Sequence, residues 1–148
     1  MSAAPQSRSR ACGGIDSHVT RALAQLSVRR GPEAIAFYKA AFGAEVDYQV
    51  GDESIVAQLS IGADATFWVA DESPEHANFS PETLGGGTVR MLLIVDDPDA
   101  AIDRAVAAGA ALVTAASDEH GWRLGRIADP FGHHWEIGKP LGPWPPTR

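Results

Sequence analysis

Cysteine is nearly absent from this chain of 148 residues, which contains only Cys12. A single cysteine excludes an intrachain disulfide, so we expect a reducing, cytoplasmic location. Long apolar runs are also missing, because a run such as residues 91–95 is far too short to span a bilayer. We therefore predict no membrane association, and we interpret residues 1–19 as a disordered tail because they lack the apolar segment of a signal peptide.

Positive charge is scarce, since 12 Lys and Arg stand against 19 Asp and Glu, a net charge of −7. The first 31 residues carry five Arg and one Asp, a balance of +4, which leaves −11 for the remainder. An acidic body repels phosphate backbones, which disfavours nucleic acid as a partner and favours a basic small molecule. The glycines of residues 85–87 lack the Lys-Ser/Thr that follows in a phosphate-binding loop.

Signatures of covalent and metallopeptidase catalysis are absent as well. The chain contains neither Gly-x-Ser-x-Gly nor His-Glu-x-x-His. His120, in the polar turn of residues 118–122, is a candidate general base, although a lone loop histidine is more often simply solvated. Composition and motifs therefore leave ligand binding and catalysis both open.

The segment of residues 129–137, Asp-Pro-Phe-Gly-His-His-Trp-Glu-Ile, is the most informative part of the chain. Its first four residues predict a tight turn, because Pro130 presets φ and Gly132 tolerates a positive φ. The residues that follow alternate as on a strand, which puts His134 and Glu136 on one face and the apolar Trp135 on the other. The polar pair therefore lines a cavity or meets bulk water.

The chain also repeats one unit, at a period near 66 residues. Each copy has an apolar strand, a charged turn, and a helix that opens with Pro and closes at Gly-Ala. Asp97 is the predicted N-cap of the second helix. The expected core-facing residues of the helices, at helical spacing, are Ile35, Tyr38, Phe42, Ile102, Ala105 and Val106.

Short strands follow each helix, so the predicted order is β-α-β-β-β, twice. We predict these strands at 45–50, 54–61 and 65–70, and at 111–114, 123–128 and 134–138. The fold class is α+β, with two tandem βαβββ modules forming a cup-shaped mixed sheet with helices outside. The boundaries are 20–139 for the domain, with 20–71 as module one, 72–87 as a linker or mobile lid, 88–139 as module two, and 140–148 as a Pro-rich tail that Trp144 docks.

This pattern resembles the vicinal oxygen chelate superfamily, which includes glyoxalase I, extradiol dioxygenases and bleomycin- and fosfomycin-resistance proteins, and within it the PhnB-like branch. The resemblance is carried by residues 34–44, 108–110 and 129–136 and covers roughly residues 20–139. It implies a concave small-molecule site and, in many members, a divalent metal held by four ligands. Members often form homodimers, which we also expect here. One fold of this kind hosts many chemistries.

Mapped onto this chain, the four implied ligand positions are Leu23, Trp68, Arg90 and Glu136, of which Glu136 alone can hold a metal. A register shift could still bring Gln25, His134 or His18 into the ligand sphere. The alternative is that the Arg90 guanidinium replaces the ion and pairs with Glu136 through two parallel hydrogen bonds. Arg90 as a solvent-facing edge residue is the competing interpretation.

Strand parity predicts a cup interior lined by Leu23, Gln25, Ser27, Thr66, Trp68, Arg90, Leu92, Ile94, His134 and Glu136. Of these, Trp68, Arg90, Glu136, His134, Gln25 and Leu92 are the candidate ligand-binding residues, and His133 is expected to be half-buried on the helix side. Our first hypothesis is a binding protein for a planar or cationic ligand, with Trp68 stacking and no complete metal site. The alternatives are a metal-dependent isomerase, dioxygenase or thiol transferase, and a structural relic without a ligand.

Overall fold

The computed structural model describes residues 19–147, in eight strands and three α-helices. The predicted tail, with Cys12 and His18, lies almost entirely outside these residues. The strands are β1 Gln25–Val28, β2 Glu45–Val50, β3 Val56–Ile61, β4 Ala65–Asp71, β5 Arg90–Ile94, β6 Ala111–Glu119, β7 Trp122–Ala128 and β8 His134–Pro140. The helices are α1 Gly31–Phe42, α2 Pro81–Leu84 and α3 Pro98–Ala107, with a 3-10 turn at Pro74–His76.

The strands form two four-stranded sheets, ordered β1-β4-β3-β2 and β5-β8-β7-β6. β1 pairs with β4, and β5 pairs with β8, in the parallel direction. The other neighbouring strands pair in the antiparallel direction. This is the predicted α+β architecture of two βαβββ modules. None of the helices within residues 19–147 has the length and apolar character needed to cross a bilayer.

The two long helices begin and end where the sequence predicts. Gly43 closes α1 in the left-handed conformation, with φ of 67°, which costs a glycine little. The Asp97 side chain accepts a hydrogen bond of 3.1 Å from the Ala100 amide and so caps α3. Val106 corrects one prediction, because its side chain is 40% exposed and does not belong to the core.

One aromatic core joins both modules. The buried Tyr38 ring on α1 lies 5.4 Å from Phe67 of the first sheet and 5.5 Å from Trp135 of the second, measured between ring centroids. Phe42 packs 4.8 Å from the same indole. Because α1 buries its aromatic face against both sheets, the opposite, polar faces are the ones left for a ligand.

Several predicted boundaries need correction. Strand β6 extends five residues past the predicted end at 114, and β8 extends to Pro140, the first residue of the predicted tail. The predicted linker 72–87 contains the 3-10 turn and α2, whose Ser80 cap accepts a hydrogen bond from the Thr83 amide. Residues 141–147 have no regular structure, and Trp144 docks against Trp122 at 5.1 Å as predicted.

Candidate binding site on the second sheet

The polar face of the second sheet brings four of the six candidate residues together. Strand pairing sets Arg90 beside His134 and Leu92 beside Glu136. Their neighbours Met91, Leu93, Trp135 and Ile137 are more buried and point to the helix side. The alternation predicted from the sequence is therefore the one observed.

Glu136 is the electrostatic centre of this face. Its Oε1 accepts a hydrogen bond of 2.7 Å from Nη2 of Arg126, and Nε of Arg90 lies 3.1 Å from the same oxygen. The predicted Arg90–Glu136 ion pair is thus present, but the expected pair of parallel hydrogen bonds from Arg90 is wrong. Two guanidinium groups share one carboxylate, so this cluster has a formal charge of +1.

Arg126 is the site residue that the sequence analysis missed. It lies directly opposite Glu136 in the antiparallel β7–β8 pairing, at the position that the turn of residues 129–133 determines. Counting backwards and forwards from that turn would have placed both side chains on one face. The pairing of Arg126 with Glu136 was therefore predictable from the sequence, although only Glu136 was assigned to this face.

Two cavities meet at Arg126. One, of about 400 Å³, extends over β6 and β7 and is lined by Glu136, Arg126, Trp122, Glu119 and His120. The other, of about 270 Å³, lies between the start of β5 and the segment of residues 86–89, and Arg90, Arg126, His133 and His134 line it. These sizes suit a small organic ligand or a part of one.

The turn between β7 and β8 holds these residues in place through Asp129, a carboxylate that is 5% exposed. Its Oδ1 accepts hydrogen bonds from the Phe131 and His133 amides, both of 2.9 Å. Its Oδ2 accepts from the Tyr38 hydroxyl at 2.5 Å and from the Trp135 indole at 3.0 Å. The left-handed Gly132, with φ of 90°, completes the predicted turn.

Burial raises the pKa of the Tyr38 hydroxyl well above its ordinary value, and the charge of Asp129 raises it further. The phenol therefore stays protonated and remains a donor to Asp129 across the neutral range. This contact ties α1 to the turn that presents His133 and His134, and so it couples the core to the candidate site.

The first sheet carries the two remaining candidates. Trp68 is flanked across the sheet by Gln25 on β1 and Gln58 on β3, and its ring lies 6.3 Å from Tyr48. Gln58 is only 8% exposed, and its Oε1 has no hydrogen-bond partner within residues 19–147. A buried amide oxygen without a donor is costly to the folded state.

The two loop histidines differ in their roles. His133 is half-buried as predicted, and its Nε2–H donates to the Ser27 carbonyl oxygen at 2.9 Å, which links the second sheet to β1. His120 is exposed at the tip of the β6–β7 hairpin, with φ of 51°, and lines the larger of the two cavities. Nothing in its surroundings marks it as a base.

A family model described as "Glyoxalase-like domain" matches residues 25–138, which is most of the chain. The chain belongs to this glyoxalase-like family. An uncharacterized Mycobacterium tuberculosis protein is 38% identical to this chain over 122 residues, and the match covers 78% of this chain and 72% of that protein. An uncharacterized Arabidopsis thaliana protein is 30% identical over 140 residues, and the match covers 83% of this chain and 82% of that protein.

Solved structures support the same fold. The X-ray structure of an Arabidopsis thaliana gene product has a TM-score of 0.65 at 29% identity. The match covers 82% of this chain and 99% of that chain. The fosfomycin resistance protein FosX of Listeria monocytogenes, in complex with Mn(II) and sulfate, has a TM-score of 0.63 at 18% identity and covers 84% and 93%. The latter likeness concerns the fold alone.

The donors near Glu136 do not match a divalent metal site. Within residues 19–147 no group of three or more His, Cys, Asp or Glu side chains is placed to hold a metal ion. Leu23 and Trp68 offer no metal-binding atom, and Glu136 Oε1 already contacts two guanidinium groups. A fixed cation at Arg90 opposes the approach of a second cation.

Proposed function

We propose that this glyoxalase-like protein is a small-molecule binding protein of the glyoxalase/bleomycin-resistance type, of the PhnB-like branch, that works without a complete metal site. The observation that carries the proposal is the carboxylate of Glu136, which two guanidinium groups neutralise at 2.7 and 3.1 Å. A buried or half-buried carboxylate needs such compensation, and here it comes from side chains.

The first sheet supports a ligand with a planar part. Trp68 is half-buried, and its partners on the two neighbouring strands are Gln25 and Gln58. An indole binds flat rings over a large area through the face of its ring system.

Elemental analysis and metal titration test the metal-free mechanism. Protein purified without chelator is expected to contain far less than one divalent ion per chain. Titration with Mn²⁺ or Zn²⁺ is expected to give the same weak binding for the wild type and for Glu136→Gln. A stoichiometric ion that Glu136→Gln releases, together with an activity that chelators abolish, would establish the metal-dependent enzyme instead.

The same proposal includes a cytoplasmic homodimer. Leu92 and Ile94, on the polar face of the second sheet, are 51% and 59% exposed. Leu84 and Val89, which precede β5 in the chain, are 64% and 70% exposed. A second chain would cover part of this surface and shield the bound ligand from water. Light scattering is expected to give twice the chain mass of 15.6 kDa, and a monomer at micromolar concentration would contradict it.

A further inference from the structure

The cavity of about 270 Å³ at the start of β5 has an unusual charge for this chain. Two arginines and two histidines line it, and no Asp or Glu is among its lining residues. The chain as a whole has a net charge of −7. The Glu136 carboxylate is shared between Arg90 and Arg126, so their combined charge exceeds it by one.

The two guanidinium groups have N–H donors that the Glu136 carboxylate does not use. Each carries five N–H groups. Arg126 commits one nitrogen, Nη2, to the hydrogen bond with Glu136, and Arg90 contacts the same carboxylate only through Nε. No other carboxylate within residues 19–147 pairs with either arginine. Arginine forks fit the two oxygens of a carboxylate or phosphonate better than any other side chain does.

An apolar groove continues from this cavity. It has a volume of about 480 Å³ and shares Pro81, His133 and residues 86–89 with the cationic cavity. Phe79, Leu84 and Val89 form much of its wall, and none of its lining residues is an Asp, Glu, Lys or Arg. Gln25 also lines the groove and pairs across the sheet with Trp68.

We propose that the ligand is an anion with an apolar, planar body, whose carboxylate or phosphonate head accepts hydrogen bonds from the N–H groups of Arg90 and Arg126 that Glu136 does not use, and whose body occupies the adjoining groove. This inference rests on the proposed binding function and specifies its ligand class. It reverses the expectation of a basic ligand, because the field at close range depends on the net charge of +1 that the two arginines and Glu136 leave beside the cavity and not on the distant acidic surface, which salt screens within about 10 Å.

Three probes that share a naphthalene ring and carry a negative, a neutral and a positive substituent provide the test: 2-naphthoate, 2-naphthalenemethanol and 2-naphthylmethylammonium, each titrated calorimetrically up to 1 mM. We expect 2-naphthoate to bind at least tenfold more tightly than the alcohol, and the ammonium to bind most weakly. Raising NaCl from 50 to 500 mM is expected to weaken only 2-naphthoate, because screening acts on the charged head.

Variants of the two arginines locate the head group. Arg126→Gln and Arg90→Gln are each expected to weaken 2-naphthoate about tenfold and to leave the alcohol within twofold. Arg90 is 57% exposed at its side chain, so its variant is expected to fold, which circular dichroism verifies. Arg123→Gln is the matched control, because Arg123 is on the same strand but pairs with Asp99 and Asp118 outside these cavities.

The possible outcomes separate the two proposals. If the alcohol and the ammonium bind as tightly as 2-naphthoate, or if the arginine variants leave 2-naphthoate unchanged, the anionic head is wrong and the planar-ligand function stands. If none of the three probes binds, the proposed binding function fails, and this inference fails with it.

Discussion

Replacing Asp129 with alanine is expected to lower the free energy of unfolding by about 3–5 kcal/mol. The carboxylate accepts four hydrogen bonds, from the Phe131 and His133 amides and from the Tyr38 and Trp135 side chains. Alanine leaves all four donors, three of them in buried hydrogen bonds, without an acceptor, and each unpaired buried donor costs about 1–3 kcal/mol before the chain relaxes. The loss is a large share of the roughly 5–15 kcal/mol that holds a domain folded.

Urea denaturation measures this effect, with Asp103→Ala as the control. Asp103 is exposed on α3, and its replacement is expected to change stability by less than about 0.5 kcal/mol. Because the Asp129 turn also presents His133 and His134, the variant is expected to lose ligand affinity wherever it still folds. A loss of less than about 1 kcal/mol for Asp129→Ala would show that the turn is held by the backbone alone.

Tyr38→Phe separates the hydroxyl from the rest of this network. At pH 7 it is expected to cost about 1.5–3 kcal/mol, since the lost hydrogen bond goes to a charged acceptor. The raised pKa of Tyr38 adds a pH signature. Below a pH of about 10 the phenol is protonated in both states. Above that pH only the unfolded chain releases the proton, so wild-type stability falls by up to about 1.4 kcal/mol per pH unit.

The difference in stability between the wild type and Tyr38→Phe is therefore expected to shrink as the pH rises past 10. Tyr48→Phe is the matched control, because the Tyr48 side chain is 49% exposed, and its stability is expected to follow the wild type throughout. A gap for Tyr38→Phe that stays constant up to pH 11 would contradict a buried, neutral phenol.

The repeated strand-helix pattern made the fold predictable. Pro and Gly-Ala at corresponding places in both copies marked the helix ends, and alternation assigned the face of every residue from His134 to Ile137. These are local signals, because they depend on φ angles and on side-chain periodicity along one segment. The bounds of β6 were less predictable, since its residues are mostly exposed and its pairing shifts register twice.

The details of the candidate site depend on contacts between segments far apart in sequence. In the sequence Gln58 is an ordinary strand glutamine, and its burial beside Trp68 depends on the pairing of β3 with β4. The cationic cavity is equally non-local, because it needs residues 86–89 to fold against the starts of β5 and β8. Net charge and the cavity favour opposite ligand signs, because composition averages over the surface and the cavity contains only a few of its charges.

Trp135→Ala is expected to destabilise the protein by about 3–5 kcal/mol, because removal of a buried indole leaves a cavity in the core. Trp135 is 2% exposed and packs against Phe42, Tyr38 and Phe67. Trp68 is half-buried on the face of the first sheet that points away from the aromatic core. Trp68→Ala is therefore expected to cost only about 1–2 kcal/mol. The binding of 2-naphthoate is expected to respond to Trp68, because Trp68 is the strand partner of Gln25, which lines the apolar groove, and an indole at that position can stack on the naphthalene ring.

Chemical denaturation and the naphthoate titration together distinguish the structural indole from the binding one. Trp68→Ala is expected to weaken 2-naphthoate about tenfold while the protein stays folded. Trp135→Phe keeps an aromatic ring in the core but loses the indole donor to Asp129, so it is expected to fold, to lose about 1–2 kcal/mol, and to bind with nearly wild-type affinity. If Trp68→Ala binds like the wild type while Trp135→Phe does not, the ligand does not use the face of the first sheet.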